Sequence, residues 1–194
     1  MNSNSNEIIK YILSRDKEDL TIRNIANGLN KDYKNIYNII KKLSNDEILQ
    51  MKKIGSSNIV KAIKSPNPQF FSAEYKRREE ILKNKNINNI YNILKRSYFP
   101  KIVLLFGSYA KNTYNKDSDI DLLIICDEKY QKTIERNLKI LPFDIHPIFL
   151  SFEEFLDLAS KKEFTVVSEA LKQNIILYGI EDYYQLLANI NENK

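Results

Sequence analysis

The stretch from Leu104 to Cys126, LLFGSYAKNTYNKDSDIDLLIIC, most constrains what this chain can fold into. An apolar run breaks at Gly107-Ser108, and a second apolar run begins with two aspartates that lie two positions apart. Uncharged runs rich in β-branched residues predict strands. The YAKNTY segment that follows the Gly-Ser pair can begin a helix. We therefore expect an α+β fold in this part of the chain.

The Gly-Ser pair is a candidate phosphate site. A helix N-terminus behind such a turn presents backbone N–H groups and the hydroxyl of Ser108, which together suit a phosphate. Gly107 matters because a side chain at this position would hold the phosphate away from the backbone. The alternative is an ordinary surface turn, which is what most Gly-Ser pairs are.

The two aspartates are a candidate metal site. Side chains two residues apart in a strand point to the same face, so Asp119 and Asp121 should project together. Two carboxylates at that separation repel each other unless a cation lies between them. Oxygen ligands on a rigid strand suit Mg²⁺, which also takes ligands from substrate phosphates. The alternative is an exposed strand edge that carries two acids.

A third carboxylate stands in the β-like run LPFDIHPIFLS, residues 141–151. If this run lies beside the strand that contains Asp121, the side chain of Asp144 should converge with those of Asp119 and Asp121. A two-metal centre commonly uses such a third acid. The only histidine of the chain, His146, faces the same side as Asp144 and is a minor candidate.

These motifs together resemble the DNA polymerase beta-type nucleotidyltransferase superfamily, and most closely its minimal nucleotidyltransferase branch. Members read FGS-x-A-R-G and then SD-hydrophobic-D, and this chain reads FGSYAKN at 106–112 and SDIDL at 118–122. Lys111 stands where Arg is usual, and Asn112 stands where Gly is usual. The resemblance covers about residues 85–180. It implies a mixed sheet with helices on one side, and the helix predicted over 165–177 (TVVSEALKQNIIL) looks like the closing helix of the family.

The resemblance also implies the chemistry. Asp119, Asp121 and Asp144 would be catalytic and would bind metal, with two Mg²⁺ ions expected. Four residues would bind the NTP, for which ATP is favoured: Gly107, Ser108, Lys111 and Ser118. An NMP group would pass to a hydroxyl acceptor with release of pyrophosphate. Members of this branch often act as antitoxins that nucleotidylate a partner toxin, commonly with AMP, so a protein acceptor is implied.

Two other functions remain open at this point. One is transfer of NMP to a small molecule such as an aminoglycoside, although the chain shows no separate substrate domain. The other is a DNA-binding regulator whose transferase fold is non-catalytic, senses nucleotides or mediates contacts.

The N-terminal part predicts a winged helix-turn-helix domain over residues 1–64. Helical patterns are followed by two strand-like runs around GSSN at 55–58, which indicates a hairpin. The second helix of the pair would enter the major groove, and this domain would bind DNA and repress its own operon. The alternative is a small helical module that contacts proteins. A homodimer is expected because such regulators are commonly dimeric. The candidate DNA-binding residues are Lys31, Tyr33, Lys34, Asn35, Tyr37, Asn38, Lys41, Lys42, Lys52 and Lys53.

The balance of charged residues differs between the two ends of the chain, which suggests that they have different functions. Residues 1–72 carry 12 Lys and Arg against 7 Asp and Glu, whereas residues 101–194 carry 11 against 15. Pro66 and Pro68 predict a linker at 65–72, and Ser72 predicts the cap of a leading helix over 73–97 within a domain of residues 73–194. The sequence has no signal-peptide pattern, no apolar run of membrane length and one cysteine. A cytoplasmic protein without a membrane partner is therefore expected.

Overall fold

The computed structural model describes residues 3–15, 20–96, 99, 101–161 and 165–192. The chain divides into two compact units, Met1–Glu74 and Tyr75–Lys194, and each is described by itself. Across the described ranges, the helices are all too short or too polar to cross a bilayer.

The first unit contains three helices followed by a hairpin. The helices are α1 (Ser3–Leu13), α2 (Ile22–Gly28) and α3 (Tyr33–Asn45), and the strands are β1 (Leu49–Ile54) and β2 (Ser57–Ala62). Side chains cap the second and third helices, since Thr21 accepts from the N–H of Asn24 and Asp32 accepts from the N–H of Asn35. The strands pair antiparallel, and Ile8, Ile36 and Val60 are at most 1% exposed. The elements follow the predicted order, and their assignment as a winged helix-turn-helix stays a prediction.

The long helix predicted over 73–97 is instead two helices, α4 (Pro68–Ile81) and α5 (Lys85–Lys95). Pro68 begins α4 because the first helical position needs no backbone N–H. Ser72 therefore lies inside α4 rather than at its cap, and its hydroxyl accepts from Asn6 Nδ2 at 2.5 Å. Asn84 starts the second helix by accepting from the N–H groups of Asn86 and Ile87. The last residue of the predicted helix, Ser97, lies outside the described residues.

The rest of the second unit is built around a four-stranded mixed sheet in the order β5-β4-β3-β6. The middle strands β3 and β4 pair antiparallel, β6 pairs antiparallel with β3, and β5 pairs parallel with β4. The elements are β3 (Ile102–Leu105), α6 (Gly107–Lys111), β4 (Ile120–Ile125), α7 (Glu128–Leu138), β5 (Ile145–Leu150), α8 (Phe152–Ser160), α9 (Val166–Lys172), β6 (Ile175–Tyr178) and α10 (Ile180–Glu192).

Helices cover both faces of this sheet, so the expected one-sided arrangement is wrong. Val103 and Leu122 belong to a core that also contains residues of α5 and α7. Leu104 and Leu123 point to the opposite face and are 0% exposed. The helix α10 contacts β3 and the helix α8 contacts β5, and neither contributes a described residue to the core around Val103. Both faces of the sheet are apolar because successive buried residues alternate between them. Each face must therefore be shielded from water by other elements.

The chain after α9 forms a strand where the sequence predicted a helix through Leu177. The side chain of Asn174 donates to the carbonyl of Ala170 at 2.6 Å, next to the end of the helix at Lys172. Ile176 then pairs with Leu104 in the antiparallel ladder. The run IILY suits a strand by composition, and pairing with β3 satisfies backbone groups that a longer helix would have satisfied itself.

The cysteine that follows β4 is part of the core. Cys126 is 0% exposed, and burial raises the pKa of its thiol to about 11. Its N–H donates to the carbonyl of Leu150, which extends the pairing of β4 with β5 by one residue.

Candidate active site

The turn between β3 and α6 brings the backbone of Gly107 against a carboxylate. Gly107 has φ +65, a left-handed conformation, and a Cβ placed there would lie 2.0 Å from Asp121 Oδ2. The backbone holds the two strands together at the same point, because the N–H of Phe106 donates to the carbonyl of Asp121 at 3.1 Å. Glycine is therefore required at 107 both by its φ and by the space that Asp121 occupies.

The two aspartates predicted to project together do converge. His146 Nδ1 lies 3.7 Å from Asp119 Oδ2 and 3.8 Å from Asp121 Oδ1. The parallel pairing of β4 with β5 places Asp121 opposite His146, which explains why the histidine lies between the two carboxylates. His146, a minor candidate in the sequence, thus contacts both main candidates.

The environment of Asp121 disfavours its charge. Burial raises the pKa of the Asp121 carboxyl above its ordinary value. The nearby charge of His146 lowers this pKa, those of Asp119 and Glu169 raise it, and that of Lys111 lowers it. A cation bound beside Asp121 would relieve the same penalty, because it favours the ionised carboxylate.

The third predicted acid lies at the same end of the sheet but stands apart. Asp144 comes directly before β5, is exposed, and accepts at its carbonyl from the N–H of Ile120 at 3.1 Å. Asp119 and Asp144 both line a cavity of about 330 Å³, together with Asn86, Lys116 and Phe143. Within the described part of the chain, no three His, Cys, Asp or Glu side chains are grouped closely enough to hold a metal ion.

The site fits one Mg²⁺ ion that arrives with a nucleotide. Mg²⁺ keeps several waters and is usually held by one or two carboxylates together with substrate phosphates. Asp119 and Asp121 supply two carboxylates, and Gly107 leaves the space beside them free of a side chain. A second ion would need Asp144 to join this pair, so the expectation of two ions stays a prediction.

The two remaining residues predicted to bind nucleotide have protein partners. Ser118 donates to Asn115 Oδ1 at 3.2 Å and accepts from the N–H of Asn115 at 2.9 Å, so its hydroxyl holds the loop before β4. Lys111 Nζ lies 2.8 Å from Glu169 Oε1 on α9. Glu169 was missed from the sequence because an acid on a short helix looks like part of an ordinary solvated face.

The backbone conformation of Asn112 explains why Asn can stand where the resembled family usually has Gly. It caps α6 in the left-handed conformation, with φ 56 and ψ 36, and its N–H reaches the carbonyls of Ser108 and Tyr109. Asn adopts this conformation more readily than other residues with a side chain. Asn112 therefore replaces the usual glycine at little conformational cost.

We expect Asn112→Gly to change the free energy of unfolding by less than about 0.5 kcal/mol, and Asn112→Ala to lower it by about 1 kcal/mol. Urea unfolding followed by circular dichroism would measure both. Asn92→Ala is the matched control, because Asn92 is exposed within α5 and alanine favours a helix. Equal stability of the two Ala variants would contradict this account of Asn112.

In the first unit, most candidate DNA-binding side chains are exposed. Tyr37 is half-buried, and its ring stacks on that of Tyr33 with centroids 6.3 Å apart. Lys31 differs from the others because it pairs with Glu7 and donates to Asn4 Oδ1 at 2.8 Å, both on α1. The exposed set is Tyr33, Lys34, Asn35, Asn38, Lys41 and Lys42 on α3, with Lys52 and Lys53 on β1.

Comparison with known proteins agrees with this geometry. Residues 88–183 match the family described as "Polymerase beta, Nucleotidyltransferase". The chain is 41% identical over 59 residues to a Methanocaldococcus jannaschii protein named "Putative protein adenylyltransferase MJ0604", a match that covers 29% of this chain and 59% of that protein. It is 35% identical over 51 residues to "Putative protein adenylyltransferase MJ1379" of the same organism, covering 26% and 51%. The chain thus spans little more than half the length of these relatives.

Proposed function

We propose, from the match of residues 88–183 to the polymerase beta nucleotidyltransferase family, that the chain transfers AMP from ATP to a hydroxyl group on a partner protein. The observation that carries the proposal is the convergence of Asp119 and Asp121 beside the Gly107 backbone. The names of the two relatives, which describe protein adenylyltransferases, support AMP as the group and a protein as the acceptor.

In this proposal each residue has a defined task. Asp119 and Asp121 would hold a metal ion, and the turn at Gly107-Ser108 binds the β- and γ-phosphates through its backbone N–H groups. Asp144, at the cavity shared with Asp119, accepts the proton of the attacking hydroxyl. Mg²⁺ bound with the nucleotide supplies charge neutralisation for the triphosphate.

The bond changes are those of an in-line displacement at phosphorus. The acceptor oxygen forms a bond to the α-phosphorus, and the bond from that phosphorus to the bridging oxygen of the leaving group breaks. Pyrophosphate departs with the electron pair of that bond, and the proton of the acceptor passes to Asp144. In the branch that the sequence resembles the acceptor is often a toxin, and pairing with such a partner is part of the proposal.

Isotopic labelling tests the reaction. The full chain would be incubated with Mg²⁺, a candidate partner protein encoded beside it, and ATP labelled at either the α- or the γ-phosphate. We expect label in the partner from α-labelled ATP only, and none with the Asp119→Ala/Asp121→Ala variant. Label transferred from the γ-phosphate would contradict the proposal, as would products identical for the wild type and the variant. Label on an added aminoglycoside instead of the protein would favour the small-molecule function.

We also propose that the first unit binds DNA, with α3 in the major groove. The exposed lysines of α3 and β1 support this second function, because they form a basic surface that can contact phosphates. Repression of its own operon and a homodimeric state belong to this proposal.

We expect Lys34→Ala/Asn35→Ala to weaken binding to the DNA upstream of its own gene more than binding to a scrambled duplex. The physical reason is that Asn can contact base edges while Lys contacts phosphates. Fluorescence anisotropy over a series of KCl concentrations would measure both affinities, with Lys95→Ala on α5 as a matched control of charge. If the variant lost affinity equally for both duplexes, the contact would be driven by charge alone, which would contradict specific recognition.

A further inference from the structure

An acid on α9 neutralises the lysine that the nucleotide would need. Lys111 Nζ and Glu169 Oε1 are 2.8 Å apart, and the two side chains are 35% and 31% exposed. Gln173, directly after α9, also donates from Nε2 to the carbonyl of Ala110 at 3.5 Å. The Lys111–Glu169 pair is therefore one of two polar contacts that join α6 to α9 and the residue that follows it.

The surroundings of this pair are already rich in negative charge. Asp119 and Asp121 converge next to the turn from which α6 begins. Glu169 and Lys111 both act on the charge of Asp121, in opposite directions, which places the pair within electrostatic reach of this carboxylate. A triphosphate that enters would meet Glu169 as a repelling charge and would meet Lys111 as a cation that is already paired.

We propose that Glu169 is a positioning residue that lowers nucleotide affinity by holding Lys111, and that the pair must open before Lys111 can bind the triphosphate. This inference rests on the proposed nucleotidyl transfer, because it assumes that an NTP binds at the Gly107-Ser108 turn. A phosphate oxygen then takes the place of Glu169 at the ammonium group, and α9 loses its ionic contact with α6.

The size of the effect follows from the exposure of the pair. Ion pairs whose side chains are about a third exposed contribute little, so breaking this one should cost about two- to fivefold in affinity. Glu169→Gln keeps the shape of the side chain and removes its charge. It should therefore tighten nucleotide binding by about two- to fivefold. Lys111→Met should weaken binding, and Glu169→Gln should tighten binding less in that background than in the wild type, because only the direct repulsion between Glu169 and the triphosphate remains to be removed.

Equilibrium binding of a fluorescent ATP analogue to the full chain in Mg²⁺ tests the inference without turnover. Glu135→Gln is the matched control, because Glu135 forms a pair of the same 2.8 Å length with Lys139 on the exposed face of α7. The expected result is tighter binding for Glu169→Gln and no change for Glu135→Gln. With an identified acceptor, KM for ATP should fall in Glu169→Gln while kcat stays within about twofold.

The possible results distinguish the role of Glu169 from the proposed transferase activity. If the wild type binds the analogue and Glu169→Gln binds it equally well or more weakly, at an unchanged melting temperature, the role of Glu169 is overturned and the transferase proposal stands. If the wild type does not bind the analogue at millimolar concentration, both the role of Glu169 and the transferase proposal are contradicted. If Glu169→Gln fails to fold, Glu169→Asp replaces it, since the shorter side chain should loosen the pair and give a smaller gain in the same direction.

Discussion

Asp121→Asn should reduce nucleotidyl transfer by about a thousandfold or more, and it should do so without unfolding the chain. The Asp121 carboxylate is the group against which Gly107 packs, and it converges with Asp119 on one side of the turn. Asn keeps the size of the side chain and one oxygen but loses the charge that a metal ion requires. Initial rates with α-labelled ATP and the identified acceptor would measure the loss.

The same substitution should raise stability. Burial raises the pKa of Asp121 above its ordinary value of 3.8, so at pH 7 the folded state carries an unfavourable charge that Asn removes. The gain is fully present above the folded-state pKa, shrinks as the pH falls through that value, and disappears below 3.8, where the carboxyl is protonated in both states. Thermal unfolding of the wild type and Asp121→Asn between pH 3 and pH 8, with no Mg²⁺ present, would show this.

Asp157→Asn is the matched control for both measurements. Asp157 is an exposed acid on α8 that does not line the cavity of Asp119 and Asp144, so its replacement should leave rate and stability near those of the wild type. Activity of Asp121→Asn within tenfold of the wild type would remove Asp121 from the metal site. A loss of stability at pH 7 would show that the carboxylate is held by contacts that outweigh its burial.

Gly107→Ala should cost both activity and stability. The new Cβ would lie 2.0 Å from Asp121 Oδ2, so the carboxylate must rotate away from the position where it converges with Asp119. The positive φ of 65 adds a strain of about 1–2 kcal/mol for a residue with a side chain. We expect a loss of about 1–2 kcal/mol in the free energy of unfolding and a rate at least about a hundredfold lower.

Gly55→Ala separates strain from displacement. Gly55 has a similar φ of 57 in the β1–β2 turn, and nothing lies within 4 Å of the Cβ position. It should lose about 1 kcal/mol through strain alone and keep full transfer activity. A Gly107→Ala variant that retains at least a third of wild-type activity would show that the space beside Asp121 is not needed for catalysis.

Local signals allowed much of the site to be predicted. Gly107-Ser108 follows a buried strand and begins a helix, and the two-residue spacing of Asp119 and Asp121 places both on one side of the chain where it enters β4. In each case the deciding interaction is short in sequence.

The missed features depend on partners distant in the chain. The sequence predicted β6 as part of a helix because its apolar run fits either structure. The pairing with β3 that makes it a strand joins segments about seventy residues apart and has no local signal. The break at Asn84 replaced one long helix by two because an Asn side chain can cap a new helix inside a polar stretch. The contacts of Glu169 with Lys111 and of His146 with both aspartates exist only after the sheet has formed.

The burial of Cys126 has a practical consequence for studying the two units. It is the only thiol in the chain, it is shielded by the core, and its pKa of about 11 keeps it protonated at neutral pH. Thiolates, not thiols, react with maleimide dyes. The native chain should therefore react little with such dyes, so an introduced cysteine can be labelled selectively. Cysteines introduced at exposed positions such as Ser56 in the first unit and Lys132 in the second can carry a donor and an acceptor dye. Energy transfer between them would report directly whether nucleotide and DNA change the distance between the two halves of the protein.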